Sequence, residues 1–211
     1  MTENLLREQI AELGKSLYDH CLAHGSAGNI SVKLADGTWL LTPTNSCLGR
    51  LDPAKISRLD GNGKLINGDP PSKEAFLHLA MYQERATSGA VVHLHSLHAV
   101  AVSCLAGLDA ADVFPPITAY AVMQVGKLAL VPYYPPGDQT LADAVRKLAG
   151  KHHAVLLANH GPVVAGSSLT AAVNAIEELE QTAQLMLLLR NQPTQLLTAG
   201  QVAELNRRFP N

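Results

Sequence analysis

Ala90-Val91-Val92-His93-Leu94-His95 is the stretch on which the fold and the chemistry of this chain turn. Its apolar, largely β-branched lead-in predicts a buried strand. Side chains alternate faces along a strand, so residues i and i+2 point the same way. His93 and His95 are therefore expected to aim their imidazoles at one spot. Two neutral imidazoles so placed suit a borderline metal such as zinc. The structural alternative is a pair of strand histidines satisfied by ordinary hydrogen bonds.

Upstream of this strand, Ser72 reads as an N-cap for a helix running through Glu74, Phe76, Leu77, Leu79, Ala80 and Met81. Asn29–Leu34 and Thr38–Leu41 flank Asp36-Gly37, a hairpin signal. Before them, Leu5, Leu6, Ile10, Leu13, Leu17 and Cys21 recur at helical spacing, giving a first helix that ends near His24-Gly25. Gly61-Asn62-Gly63 and Asn67-Gly68 mark turns.

Downstream, a short helix is predicted over Ala99–Leu105 and a strand over Leu128–Val131. Asp138–Leu148 reads as a helix, His153–Ala158 as a buried strand and Pro162–Ala165 as a short extended piece. A long helix over Leu169–Leu189 and a last one over Gln201–Arg208 follow. Strands and helices alternate, but hairpins occur too. The expected class is α/β: one α/β/α layered domain over residues 1–211 with a largely antiparallel central sheet.

Bulk properties narrow the function. A length of 211 residues favours one domain, and 47% hydrophobic residues supply a large core. A formal charge of −2, with no basic block, offers no general attraction to nucleic acid. Three scattered cysteines, Cys21, Cys47 and Cys104, do not make a disulfide framework and fit a reducing cytoplasm. Met1-Thr2-Glu3-Asn4 lacks the basic start of a signal peptide, and the apolar runs fall short of a membrane span.

A catalytic zinc needs a third protein ligand and an open position. His160 is the best candidate, at the end of a buried run and before Gly161, although a turn histidine is the plain alternative. Glu74 is the natural carboxylate partner, as ligand, base or each in turn; its plain alternative is a charge at a helix start. The loop Gly25-Ser26-Ala27-Gly28-Asn29-Ile30-Ser31 exposes backbone N–H groups that suit a phosphate. Thr42-Pro43-Thr44-Asn45-Ser46 adds hydroxyls, and Ser72 with Lys73 adds a helix start and a cation. His98 extends the histidine pattern but need not face the metal. His78 lies one helical turn after Glu74 and reads as a helix-surface group. His20, His24, His152 and His153 read as surface or core groups.

Taken in order, these pieces resemble one family. Gly28-Asn29-Ile30-Ser31, Leu41-Thr42-Pro43-Thr44, Pro71-Ser72-Lys73-Glu74, His93-Leu94-His95 and Asn159-His160-Gly161 match the class II aldolase/adducin family over nearly the whole chain. The resemblance implies zinc on His93, His95 and His160, with manganese or cobalt as substitutes. It implies Glu74 as an acid/base that also touches the metal. Tyr120 matches the family's tyrosine proton donor, which reaches across a subunit boundary of a homotetramer. Gly28, Asn29, Thr44, Ser72 and Lys73, from the three anion-binding stretches, are the residues expected to hold a substrate phosphate.

Two departures sharpen the reading. Sugar-phosphate aldolases typically have Pro-Ser-Ser-Glu where this chain has Lys73 between Ser72 and Glu74. Together with Thr42–Pro53, this is similar to the 3-oxo-tetronate 4-phosphate decarboxylases of the family. The aldolases also use a C-terminal tyrosine; none follows Tyr134 here, so that role is not carried over.

The implied reaction is metal-dependent decarboxylation of a 3-oxo-tetronate 4-phosphate to dihydroxyacetone phosphate and CO2, through a metal-stabilised enediolate. Either Tyr120 or Glu74 could return the proton to C2, with Tyr120 favoured. Lys73 or Arg50 could instead steer the substrate carboxylate. The competing readings are an aldolase or 4-epimerase acting on fuculose or ribulose phosphate, and a non-catalytic scaffold such as adducin.

Overall fold

The computed structural model describes residues 2–135 and 137–209. Met1, Pro136, Pro210 and Asn211, at and within the expected span of 1–211, lie outside the described residues. The strands are β1 (Asn29–Lys33), β2 (Trp39–Leu41), β3 (Ser57–Leu59), β4 (Leu65–Asn67), β5 (Ala90–His93), β6 (Ala129–Val131), β7 (Ala154–Leu157) and β8 (Gly161–Gly166). The α-helices are α1 (Glu3–Asp19), α2 (Ala75–Glu84), α3 (Leu97–Ser103), α4 (Thr140–Ala149), α5 (Leu169–Leu188) and α6 (Ala199–Arg208).

Among the described residues, eight strands join one sheet in the order β4-β3-β2-β1-β5-β8-β7-β6. Every neighbouring pair is antiparallel except β6 with β7. The expected largely antiparallel α/β sheet is present. The period-2 alternation of the central strands produces its layers. Ile30, Val32, Ala90 and Val92 face one core with Ile10 and Leu17 of α1, Val102 of α3 and Ile176 of α5. Leu41 and Val91 face the other, against Leu77 and Met81 of α2 and Leu141 and Val145 of α4. His93 follows Val91 by two residues and so projects onto the α2 side.

Several boundaries differ from expectation. The first helix stops at Asp19 rather than near His24-Gly25: Cys21 takes a left-handed φ of 61°, and Leu22 N–H turns back to the Leu17 carbonyl at 2.9 Å. Strands β3 and β4 surround the Gly61-Asn62-Gly63 turn, where sequence periodicity had marked only turns. Each has three residues, too few to display an alternation, and β4 is exposed throughout. The helix expected from Ser72 begins at Ala75, with Glu74 at the N-cap position. Ser72 still serves this end, because its Oγ accepts the Glu74 N–H at 3.3 Å. The next helix starts at Leu97, two residues before the expected Ala99. Tyr120 immediately precedes a single wide π-turn over Ala121–Val125 that the sequence did not disclose.

Candidate metal centre

Four side chains from three places in the sequence meet at one point. The ligand atoms of Glu74, His93, His95 and His160 lie within 4.8 Å of one another. His93 ends β5, and its ring is fully buried. His95 lies just past the strand, contrary to the expectation that both histidines sit within it. The backbone nevertheless stays extended enough to keep the two rings on one side, with Nε2 atoms 3.0 Å apart. His160 occupies the turn of the β7–β8 hairpin. Its neighbour Asn159 takes a left-handed φ of 56°, and His160 Nε2 reaches to 3.0 Å from His95 Nε2.

The backbone fixes this meeting. β5 pairs with β8, setting His93 opposite Val163. Past the last rung, Leu94 N–H bonds to the Pro162 carbonyl at 3.3 Å. The β7–β8 turn is thereby clamped to the end of β5. On the other side of β5, Asn29 of β1 is the register partner of His93. Gly28, just before Asn29, has φ 84°, and a Cβ there would come 3.0 Å from the His93 carbonyl oxygen. Glycine is required for that approach.

The donor set fits a cation. His93 Nδ1 lies 2.8 Å from the Pro162 carbonyl, which can only accept. Nδ1 therefore carries a proton, and Nε2, bare whenever the imidazole is neutral, faces the cluster. Zinc–nitrogen bonds of about 2.0–2.1 Å at tetrahedral angles put two nitrogens roughly 3.3 Å apart, close to the 3.0 Å observed. Glu74 completes the set: its carboxylate oxygens lie 3.2 Å from His160 Nε2 and 3.5 Å from His93 Nε2.

Charge within the cluster is strongly coupled. Burial pushes the Glu74 carboxyl up, but His93 and the hydrogen bonds from His160, His93 and Asn29 outweigh it and hold the group well below the usual carboxylate range. Burial pushes His93 down, and the facing Glu74 carboxylate more than reverses this. His95 is lowered to about 3 by burial, then by the charges of His93 and His160. Such a cluster favours a neutral imidazole at His95, the form a metal requires.

The cluster opens on a cavity of about 610 Å³. Besides Glu74, His95 and His160, its walls include His24, Leu97, Val100, Tyr133, Tyr134 and Asn159. Periodicity alone did not single out His24 or the tyrosine pair. Only the folded chain, which brings the loop after α1 and the loop after β6 to the same cavity, identifies them.

The three expected anion-binding stretches are neighbours. Thr42 Oγ1 accepts the Ile30 N–H at 3.1 Å, and Ser72 N–H reaches the Thr42 carbonyl at 3.2 Å. Pro43 and Pro71 form a bridge, and Thr44 N–H bonds to the Pro70 carbonyl at 2.9 Å. Gly28, Asn29, Thr44, Ser72 and Lys73 thus lie on stretches that touch one another, with Lys73 exposed, although none of the five is among the residues that wall the cavity. Asn29 also steadies the carboxylate, since its Nδ2 donates to Glu74 Oε2 at 2.7 Å. Tyr120 stands apart. It is 64% exposed, and no hydrogen bond joins it to the cluster among the described residues. His78, expected on a helix surface, is fully buried against Asn29 and Ser31.

Residues 8–187 match the class II aldolase and adducin N-terminal domain. The chain is 50% identical over 203 residues to the 3-oxo-tetronate 4-phosphate decarboxylase of Escherichia coli strain K12, covering 96% of each. It is 36% identical over 184 residues to an L-fuculose phosphate aldolase of Methanococcus maripaludis, covering 87% of this chain and 97% of that one. The crystal structure of YgbL from Escherichia coli superposes with a TM-score of 0.95 at 49% identity, covering 96% of this chain and 98% of the other. With a family match over most of its length and half its residues identical to a named relative, this chain belongs to the class II aldolase and adducin family.

Proposed function

We propose that this chain is a metal-dependent carboxy-lyase that converts a 3-oxo-tetronate 4-phosphate to dihydroxyacetone phosphate and CO2. The observation that carries the reading is the convergence of three imidazoles and one carboxylate at a cavity wall. Relatives named for this decarboxylation are 46–50% identical to the chain, against 35–37% for the fuculose phosphate aldolases. Lys73, in place of the aldolases' second serine, supports the same choice.

His93, His95 and His160, with Glu74, would hold one divalent cation, and we assign zinc on the imidazole-rich donor set. When bound, the cation supplies Lewis-acid stabilisation of the negative charge that develops on the substrate's oxygen. The C1–C2 bond breaks, its electron pair moves toward the C3 oxygen, and CO2 leaves. A proton then returns to C2. Glu74, kept ionised by its surroundings, accepts a hydrogen bond or proton from the substrate hydroxyl.

Asn29, Thr44, Ser72 and Lys73, beside Gly28, hold the phosphate. The lone cation of that group, Lys73, is exposed and long enough to meet an incoming dianion. Leaving the substrate's carboxylate only weakly neutralised favours its departure. Tyr120 is the proton donor to C2. Its exposure, and its absence from the residues lining the cavity beside this chain's own cluster, support its use in a neighbouring subunit of a homotetramer. Residues 1–211 act as one domain. We place the enzyme in the cytoplasm, consistent with three unpaired cysteines. Among the described residues, no helix is long and apolar enough to cross a membrane.

Zinc-loaded protein incubated in parallel with a 3-oxo-tetronate 4-phosphate and with fuculose and ribulose phosphates tests the reading. Release of CO2 with dihydroxyacetone phosphate from the first is expected. Aldehyde release or epimerisation from the others, without CO2, would overturn the reading in favour of an aldolase or epimerase.

A further inference from the structure

Strand β1 and helix α2 interleave their polar side chains into a single file behind Glu74. From β1 come Asn29 and Ser31, two residues apart and on one face. From the α2 side come Glu74, His78 and Tyr82, each four residues on and stacked along one helix face. The contacts alternate between the two elements. Asn29 Nδ2 lies 2.7 Å from Glu74 Oε2, and Asn29 Oδ1 lies 2.5 Å from His78 Nε2. His78 Nδ1 lies 2.7 Å from Ser31 Oγ, which lies 2.8 Å from Tyr82 Oη. Asn29, Ser31, His78 and Tyr82 are all buried.

The direction of every bond in this file follows from its end. Ionised Glu74 only accepts, so Asn29 must turn its NH2 toward it and its carbonyl oxygen toward His78. That oxygen also only accepts, so His78 must carry its proton on Nε2. His78 Nδ1 is then bare and accepts from the Ser31 hydroxyl, which in turn accepts from Tyr82. All donors point toward Glu74. Reversing any one bond would leave two acceptors or two donors face to face in a buried site, a costly arrangement.

We propose that His78 is a positioning residue for Glu74: its Nε2–H locks the Asn29 amide so that the NH2, rather than the carbonyl oxygen, faces the carboxylate. Without that lock the Asn29 amide can rotate, and its oxygen would repel the carboxylate it now holds. The inference rests on the reading that Glu74 works on the substrate in the reaction above. His78 touches neither substrate nor cation. Groups of this kind that orient a ligand or base typically change activity by about 10–100-fold when lost.

The experiment has two arms. In the first, nitrogen-15 NMR of the zinc-loaded wild-type protein reads the His78 tautomer. A proton on Nε2 and a bare Nδ1 are expected; a proton on Nδ1 overturns the proposal. This arm needs neither turnover nor a variant, so it decides even if a variant does not fold or the substrate assignment fails.

In the second arm, kcat and KM are measured for His78→Gln, His78→Phe, Asn29→Ala and the Asn29→Ala/His78→Phe pair. Gln can present an N–H where Nε2 stood, whereas Phe fills the space and donates nothing. His78→Phe is expected to lower kcat by about 10–100-fold, with a smaller rise in KM because Asn29 also serves the phosphate. His78→Gln is expected to recover most of that loss. In the Asn29→Ala background, His78→Phe is expected to cost less than about twofold more, because its route to Glu74 is already gone. Equal damage from Gln and Phe, or losses that multiply in the pair, would show a packing role and overturn the proposal. An inactive wild type on the 3-oxo acid with an Nε2–H tautomer instead overturns only the substrate reading.

Discussion

Gly161 packs so closely on Leu94 that a Cβ at position 161 would stand 2.3 Å from the Leu94 carbonyl oxygen. Each residue adjoins a member of the cluster: His160 precedes Gly161, while His93 and His95 flank Leu94. The contact joins the β7–β8 turn to the end of β5, and a side chain would wedge them apart. Gly161→Ala is expected to destabilise the protein by about 2 kcal/mol or more, with loss of bound zinc. Urea unfolding and metal analysis of the purified variant check this; unchanged stability and full zinc content would refute the wedge.

Removing His93 or His160 takes away one of three converging nitrogens. His93→Ala and His160→Ala are each expected to lose zinc affinity by at least about tenfold and activity with it. Competition with a chelator measures the first, CO2 release the second. His93→Ala is expected to be the less stable of the two, because it empties a fully buried site.

Glu74→Gln preserves shape and removes charge. The fold should survive, with a thermal transition within a few degrees of wild type, while turnover falls by about a hundredfold or more. A fully active Gln variant would remove Glu74 from the chemistry.

Lys73 is exposed and can be exchanged with little effect on packing. Lys73→Ser restores the residue typical of the aldolases. Losing one charge-assisted contact to the substrate is expected to raise KM about tenfold with little change in kcat. An unaltered KM would show that Lys73 does not touch the anion.

His78 gives the fold a pH dependence. Burial, then the charge of His93, lowers it to about 3, with Glu74 opposing. In the unfolded chain a histidine titrates near pH 6.5. Between those values the unfolded state binds the extra proton, so folding stability falls as pH falls. The contribution is complete above about pH 6.5 and drops by up to about 1.4 kcal/mol per pH unit below it. Denaturant unfolding of metal-free protein at several pH values should show a shallower acid loss for His78→Gln than for wild type. Identical slopes would mean that His78 is not held neutral.

The strand around His93, the helices with strong apolar periodicity and the hairpin turn at Asp36-Gly37 were all legible from local order. So were Glu74, His93, His95 and His160 as a set, because strand alternation put two imidazoles together and a recognisable order of motifs supplied the rest. Three-residue strands β3 and β4 were not legible, since so few residues show no period. His78 was misplaced because α2 buries residues around much of its circumference, including Leu77, His78, Ala80, Met81 and Tyr82, and so has no single apolar stripe. A signal was nevertheless present: Glu74, His78 and Tyr82 at spacing four, against Asn29 and Ser31 at spacing two.

Local periodicity reaches only as far as the next turn of helix or the next rung of strand. It therefore specified that His93 and His95 share a face, but not which side of α2 His78 would take. Register between strands distant in sequence set the rest. The pairing of β5 with β1 and β8 placed Asn29 and Pro162 beside His93, and the seating of α2 on β1 threaded His78 between two side chains of that strand. Those distances arise from packing two cores against one sheet, a property of the whole chain rather than of any stretch within it.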